Sequence, residues 1–142
     1  TNQKQIQNIV SLMEKTLGTL ASKRITVLGT AFKPNTDDVR DSIAIELIKK
    51  LLKKKSRITI YDPKAMKNTR NIFGEKIIYA GSITDALNKS QCAILMTHWK
   101  QFERFNNNSM KHMSKKFIID CRRILVEKEL QAEYHAIGIG KI

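Results

Sequence analysis

Short apolar runs rich in β-branched residues alternate with helical patterns along this chain, and this alternation limits the folds open to it. The runs typical of strands are residues 25–28, 58–61, 76–79, 92–97, 117–120 and 134–139. The helical patterns are residues 6–20, 43–52, 65–73, 82–89, 109–113 and 127–133. Strands that alternate with helices form parallel sheets with right-handed crossovers. We therefore predict a doubly wound α/β fold with a mainly parallel sheet, helices on both faces and a long N-terminal helix.

Three local patterns refine this prediction. The run 92–97 is the most apolar of the six, and strands buried on both faces have such continuous apolar runs, so it is predicted to be central. Asp41 or Ser42 is predicted to cap the helix that begins near residue 43. Ser82 and Asp85 fit a capping box, which predicts another helix start.

The chain carries a formal net charge of +13 over 142 residues, with 42% hydrophobic residues. Its length and apolar content fit one globular domain with a real core. A strong positive charge attracts nucleic acid, acidic membranes and phosphorylated metabolites alike. The densest basic run, residues 49–55, interleaves lysine and leucine, as the solvated face of an amphipathic helix does. Since no nucleic-acid motif is present, we expect no nucleic-acid partner.

No apolar run approaches the roughly 20 residues that span a bilayer, and the first residues lack the apolar core of a signal peptide. We therefore expect a cytoplasmic protein with no membrane partner. Cys92 and Cys121 lie in or directly after apolar runs, which is typical of small core residues rather than of a metal or redox motif. No metal site and no catalytic residue are predicted.

The segment 28–42 leaves the first predicted strand, passes through a polar turn and enters a helix, and it is the predicted ligand site. It places Lys33 and Arg40 beyond the carboxyl end of a strand, where open α/β sheets bind ligands. Both charges suit a phosphate-bearing ligand. Gly29 is not followed by the further glycines of a Gly-x-Gly-x-x-Gly fingerprint, so the fold is expected to be Rossmann-like without the usual dinucleotide cradle. The other interpretation is a salt-bridged loop, in which aspartates of this segment hold the two cations and Asp41 caps the helix.

Residues 29–42 (GTAFKPNTDDVRDS) resemble the signature of the C-terminal domain of the UDP-glucose/GDP-mannose dehydrogenase family of nucleotide-sugar dehydrogenases. Further pieces match in order: 61–65 (YDPKA), 97–102 (THWKQF), 120–123 (DCRR) and 134–138 (YHAIG). The resemblance covers about residues 6–140. Two positions depart from the family pattern: Cys121 stands where glycine is usual, and Gln101 replaces a common acidic residue.

The resemblance implies the substrate-binding domain of an NAD-dependent enzyme that oxidises a sugar C6 alcohol to a uronate in two steps. Phe32, Lys33 and Arg122 would contact the nucleotide sugar, and Arg40 would reach the NAD bound by another domain. Residues 1–22 would end a central-domain helix, and residues 23–142 would form the binding domain. The cofactor would be NAD, and the partners would be the N-terminal and central domains within a homo-oligomer. The family's cysteine nucleophile lies outside the segments that match, so the chain alone is expected to be inactive.

Two other functions remain open on the sequence alone. One is a basic nucleic-acid-binding module, whose affinity would fall steeply with salt. The other is a protein-interaction domain whose opening helix docks to a partner.

Overall fold

A computed structural model describes residues 2–138. Its helices are α1 (Asn2–Leu17), α2 (Ile43–Lys53), α3 (Met66–Phe73) and α4 (Ile83–Leu87). Its strands are β1 (Arg24–Leu28), β2 (Arg57–Tyr61), β3 (Ile78–Tyr79), β4 (Cys92–Leu95), β5 (Phe117–Asp120) and β6 (Glu133–Ala136). Short 3₁₀ turns occupy Gly74–Lys76, Lys100–Arg104 and Asn107–Met110.

The six strands form one sheet in the order β3-β2-β1-β4-β5-β6, and all neighbouring pairs are parallel. The chain moves outward from β1 to β3 and then returns across β1 to β4. With right-handed crossovers this reversal places α2 and α3 on one face of the sheet and α4 on the other. The predicted doubly wound parallel fold is confirmed, and the strand order reverses between β1 and β4.

The core lies where the central strands meet the helices. Every residue of β4 and β5 is buried, which confirms the prediction of a central fourth strand. Helix α1 buries Ile6, Ile9, Val10 and Met13 along one face and contacts α2. This is the stripe expected from the sequence, and the helix ends before Gly18, whose φ is +76°.

The start of α2 differs from the prediction. Ser42 occupies the N-cap position, but its hydroxyl makes no capping hydrogen bond; it donates instead to the carbonyl of Thr30 at 2.8 Å. Asp41 lies outside the helix with a φ of +58°. The predicted side-chain cap by Asp41 or Ser42 is therefore wrong. At α4 the Ser82 hydroxyl accepts from the Asp85 amide at 3.1 Å, which confirms the serine half of the predicted capping box.

Two predicted helices are also wrong. In place of a helix at 109–113 there is a 3₁₀ turn, Asn107–Met110, with a capping box between Asn106 and Ser109. Residues 127–133 form no helix, and residues 126–129 are all exposed. Such a segment has no apolar stripe to pack, and most helical stability comes from that packing. The strand predicted at 92–97 ends at Leu95, and the last residue of the strand predicted at 134–139 lies outside the described residues.

Among residues 2–138 no helix combines the length and apolar character needed to cross a membrane. The same residues contain no group of three or more histidine, cysteine, aspartate or glutamate side chains placed to hold a metal ion.

Candidate functional site

The β1 loop, residues 29–42, begins where β1 and β4 approach each other closely. Gly29 has a φ of +93°, and a Cβ added to it would lie 2.6 Å from the Cβ of Thr97. Both the positive φ and this contact require glycine. The Thr97 hydroxyl then donates to the carbonyl of Ala31 at 2.9 Å, so the segment after β4 holds the loop after β1.

A buried carboxylate, Asp62, fixes the base of the β1 loop. Its side chain accepts the amides of Thr30 and Ala31 at 2.8 and 3.0 Å and the indole N–H of Trp99 at 3.1 Å. It also accepts two amides from the segment that leads into α3, those of Lys64 and Ala65, at 2.9 and 2.8 Å. Asp62 is 1% exposed. One carboxylate therefore joins the exits of β1, β2 and β4.

Asp62 also occupies the amides that a dinucleotide would need. In a Rossmann cradle the loop after the first strand turns its amides toward a pyrophosphate. Here the amides of Thr30 and Ala31 donate to Asp62 instead. This agrees with the missing glycines and leaves binding by the β1 loop to its side chains. Sequence reasoning missed this role and included Asp62 only in the matching piece 61–65; its position after β2 was the available signal.

A second set of contacts closes the loop. The Thr30 hydroxyl lies 2.7 Å from that of Thr69, which itself donates to the Ala65 carbonyl, so Thr30 is the donor. The Phe32 amide donates to the Asp38 carbonyl at 2.7 Å. The exposed residues between these two points, Lys33 among them, form the tip of the loop.

Arg122 follows β5 and is held by its surroundings. Its amide donates to the Asp120 carboxylate at 3.2 Å, and its Nε donates to the carbonyl of Met96 at 2.8 Å. The fully buried Asp120 also accepts from the Leu125 amide and the Tyr134 hydroxyl, at 2.8 and 2.6 Å. Burial lowers the pKa of Arg122, yet a guanidinium remains charged at physiological pH. Burial and the Asp120 carboxylate raise the pKa of Tyr134.

These side chains line one open cleft of about 340 Å³, formed by Phe32, Lys33, Pro34, Thr97, His98 and Arg122. It lies at the carboxyl ends of β1, β4 and β5. The structure therefore brings together three of the predicted site residues, Phe32, Lys33 and Arg122. Sequence reasoning missed His98 as a lining residue; its ring contacts Glu103 at 2.9 Å.

Arg40 lies apart from this cleft. Its side chain is 87% exposed, and it forms a bidentate pair with Asp38, Nε to Oδ1 at 3.0 Å and Nη2 to Oδ2 at 2.8 Å. Hydrogen bonds from Arg40 lower the pKa of Asp38 to about 2. The β1 loop contains three aspartates, Asp37, Asp38 and Asp41. Within residues 2–138, only Asp38 forms an ion pair with a cation of this loop.

Neither cysteine has the character of a nucleophile. Both side chains are buried, and burial raises the pKa of Cys121 to about 12 and that of Cys92 well above its ordinary value. Cys121 is 1% exposed and is not among the residues that line the cleft. Gln101, the other departure from the family pattern, accepts a hydrogen bond from the Tyr61 hydroxyl at 2.8 Å, which is a structural role.

Fold and cleft together define a class: a Rossmann-like domain with an open cleft at the topological switch point between β1 and β4, where open α/β sheets bind ligands. Residues 26–127 match the family model described as the UDP-binding domain of the UDP-glucose/GDP-mannose dehydrogenase family. The match covers more than half of the chain. The chain belongs to this family.

Curated relatives agree. The UDP-glucose 6-dehydrogenase TuaD of Bacillus subtilis is 33% identical over 142 residues, which cover 97% of this chain and 31% of the relative. AglM, a UDP-glucose 6-dehydrogenase of Haloferax volcanii, is 42% identical over 78% of this chain and 25% of its own length. The chain thus spans between a quarter and a third of the length of the curated relatives it matches.

Solved structures give the same result. The UDP-glucose dehydrogenase of Pyrobaculum islandicum superposes with a TM-score of 0.80 at 32% identity, over 94% of this chain and 29% of that one. A GDP-mannose dehydrogenase from Pseudomonas aeruginosa superposes with a TM-score of 0.71 at 20% identity, over 94% and 31% of the two chains. At that lower identity the likeness shows a shared fold alone.

Proposed function

We propose that this chain is the nucleotide-sugar-binding C-terminal domain of an NAD-dependent 6-dehydrogenase that oxidises the C6 alcohol of a UDP-sugar to a uronate in two steps. The observation that carries the proposal is the cleft that brings Lys33 and Arg122 together at the switch point. In this proposal residues 1–22 end a central-domain helix, residues 23–142 form the binding domain, and the protein works in the cytoplasm.

Each lining residue has a role that its surroundings allow. Lys33 is exposed on the loop tip, so its ammonium group can reach a diphosphate or sugar oxygen. Arg122 places a guanidinium in the cleft wall from the end of β5, and such a group recognises phosphate oxygens. Phe32 is half-buried in the same wall and offers an apolar surface to the base or the sugar. Two cations and one ring suit a nucleoside diphosphate sugar.

NAD would be held by another domain of the same enzyme. The β1 loop has no glycine cradle, and its first amides are occupied by Asp62. Arg40, exposed and oriented by Asp38, is the side chain that we propose to reach the cofactor. In the intact enzyme, bound NAD would supply the hydride acceptor for each oxidation step, and this domain would contribute position and charge.

A ligand titration of the purified chain tests the proposal. UDP-glucose, GDP-mannose and duplex DNA are compared at fixed ionic strength by amide NMR. We expect UDP-sugar to bind weakly, at about millimolar affinity, because the contacts of the other domains are missing, and to shift residues 32–33, 97–98 and 122. No NAD reduction is expected from this chain with any sugar.

The alternatives predict other outcomes. DNA binding that is tighter than UDP-sugar binding and falls steeply with salt would support the nucleic-acid module. A stable oligomer that ignores all nucleotides would support the interaction domain. Leu47→Ala is the scaffold control, because it removes a fully buried side chain and should cost about 2–5 kcal/mol of stability. It should leave UDP-sugar affinity per folded molecule unchanged.

A further inference from the structure

A second cationic cavity lies at the amino-terminal edge of the sheet, opposite the cleft described above. It has a volume of about 100 Å³ and is formed by the first residues of β1 and β2 and by the end of α4. Arg24 and Arg57 line it. They are direct partners in the β1–β2 register, so their side chains extend from the same face of the sheet, one strand spacing apart.

Two like charges placed opposite each other on neighbouring strands destabilise a sheet unless something compensates them. Within residues 2–138, neither guanidinium has a hydrogen-bond or ion-pair partner. No acidic residue is among those that line the cavity. The protein therefore places two uncompensated positive charges at the entrance of one small cavity.

The cavity wall adds further donors. The Thr59 hydroxyl, in register with Thr26 one step inside the arginine pair, and the Asn88 side-chain amide both line the cavity. Neither makes a side-chain hydrogen bond to any other described residue. In contrast, the Thr26 hydroxyl already donates to the Ala86 carbonyl at 2.6 Å and closes the inner end. The free groups at this site are two cations, together with a hydroxyl and an amide that can each donate a hydrogen bond.

We propose that this cavity is a binding site for a single phosphate group, either inorganic phosphate or the phosphate of a small monoester. A cavity of about 100 Å³ has room for one tetrahedral oxyanion, whereas the rest of a nucleotide would extend beyond it into solvent. Two guanidinium groups give the forked, charge-assisted hydrogen bonds that phosphate oxygens prefer. Bound phosphate would also remove the repulsion between the two arginines.

The test is a titration of the purified chain with inorganic phosphate, against sodium chloride at matched ionic strength, followed by amide NMR. We expect saturable shifts at the cavity residues, Arg24, Arg57, Thr59 and Asn88, with a midpoint that is independent of any shifts at the cleft. A parallel titration with glycerol phosphate identifies the source. Binding of both ligands indicates a monoester site, and binding of inorganic phosphate alone indicates a site for the free ion.

Arg57→Gln should weaken phosphate binding at least about tenfold, the scale of one lost charged hydrogen bond. The matched control is Arg104→Gln, which removes another exposed arginine that does not line the cavity and should leave phosphate binding unchanged. In phosphate-free buffer, Arg57→Gln should melt above Arg104→Gln, because the repulsion with Arg24 is gone. If Arg57→Gln does not fold, Thr59→Val removes a donor from the same wall and should also weaken binding.

Three results would overturn the proposal. The first is a phosphate response that rises linearly without saturation and is spread over the surface lysines, as for non-specific screening. The second is equal phosphate affinity in Arg57→Gln and Arg104→Gln. The third is a saturable response whose shifts map to Lys33 and Arg122 alone, with none at the cavity residues, which would assign the phosphate to the nucleotide cleft instead.

Discussion

The two cations of the cleft, Lys33 and Arg122, lie on two loops, and each loop is held by its own buried aspartate in a different way. In the β1 loop, Asp62 accepts the amides of Thr30 and Ala31, and Lys33 extends beyond that fixed base into solvent. In the loop after β5, Asp120 accepts the amide of Arg122 itself, whose Nε is also held. In the proposed site, one cation would therefore be ordered only on binding, whereas the other is in place beforehand. Binding to a side chain that is already held in place costs less conformational entropy than binding to one that must first be ordered.

The largest expected effect is the loss of the carboxylate that holds the β1 loop. Asp62→Ala would leave five N–H donors, most of them buried, without their acceptor. At roughly 1–3 kcal/mol each, added incompletely, this should cost about 3–5 kcal/mol of unfolding free energy. Urea unfolding measures it. Asp37→Ala, at an exposed position in the same loop, is the control and should change stability little.

The second carboxylate should matter somewhat less. Asp120→Ala removes the acceptor of three groups, the amides of Arg122 and Leu125 and the Tyr134 hydroxyl. We expect a loss of about 2–4 kcal/mol, with Tyr134→Phe responsible for roughly 1–2 kcal/mol of it. Unfolding curves for both variants beside Asp62→Ala would test the order. A larger cost for Asp120→Ala than for Asp62→Ala would show that donor number does not decide stability here.

Next come the two cations, compared by nucleotide-sugar affinity in the intact enzyme. Arg122→Ala should cost on the order of 3 kcal/mol and Lys33→Ala on the order of 1.5 kcal/mol, the two ends of the range for charged hydrogen bonds. The difference arises because ordering a free lysine side chain consumes up to about 2 kcal/mol. Calorimetry measures both variants. If Lys33→Ala lowered the melting temperature and left affinity unchanged, the loop would be a scaffold and its assignment to the ligand would be wrong.

The smallest effect concerns the exposed pair of Arg40 and Asp38. The Asp38 pKa is lowered from 3.8 to about 2, so whatever the pair adds to loop order is present above pH 3.8 and is lost as the pH falls toward 2. Arg40→Ala should return the Asp38 midpoint toward 3.8 without changing the melting temperature at neutral pH. A carboxyl NMR titration measures the midpoint. Lys100→Ala should leave it where it is.

The sequence predicted most of the fold because apolar runs and helical stripes report burial directly. Lys33 and Arg122, which the resemblance implied as contacts of one ligand, line one cleft because both follow strands of one parallel sheet. It did not predict the role of Asp62, because the partners of that carboxylate are mainly backbone amides, and amides leave no residue pattern. The helix expected at 127–133 is absent, and here too a contact with a backbone amide is involved that leaves no residue pattern. Its residues favour helix by composition, but the Leu125 amide is taken by Asp120, and the residues just beyond are exposed.

The close contact between Gly29 and Thr97 limits which substitutions this domain can accept during evolution. A side chain at position 29 would meet the backbone nitrogen of Thr97 at 2.7 Å as well as its side chain. Trimming Thr97 would relieve the side-chain contact and leave the backbone contact, so no second substitution at position 97 rescues the first. Selection for a different ligand is therefore directed to exposed positions such as Lys33, which can be replaced without disturbing the exits of β1 and β4.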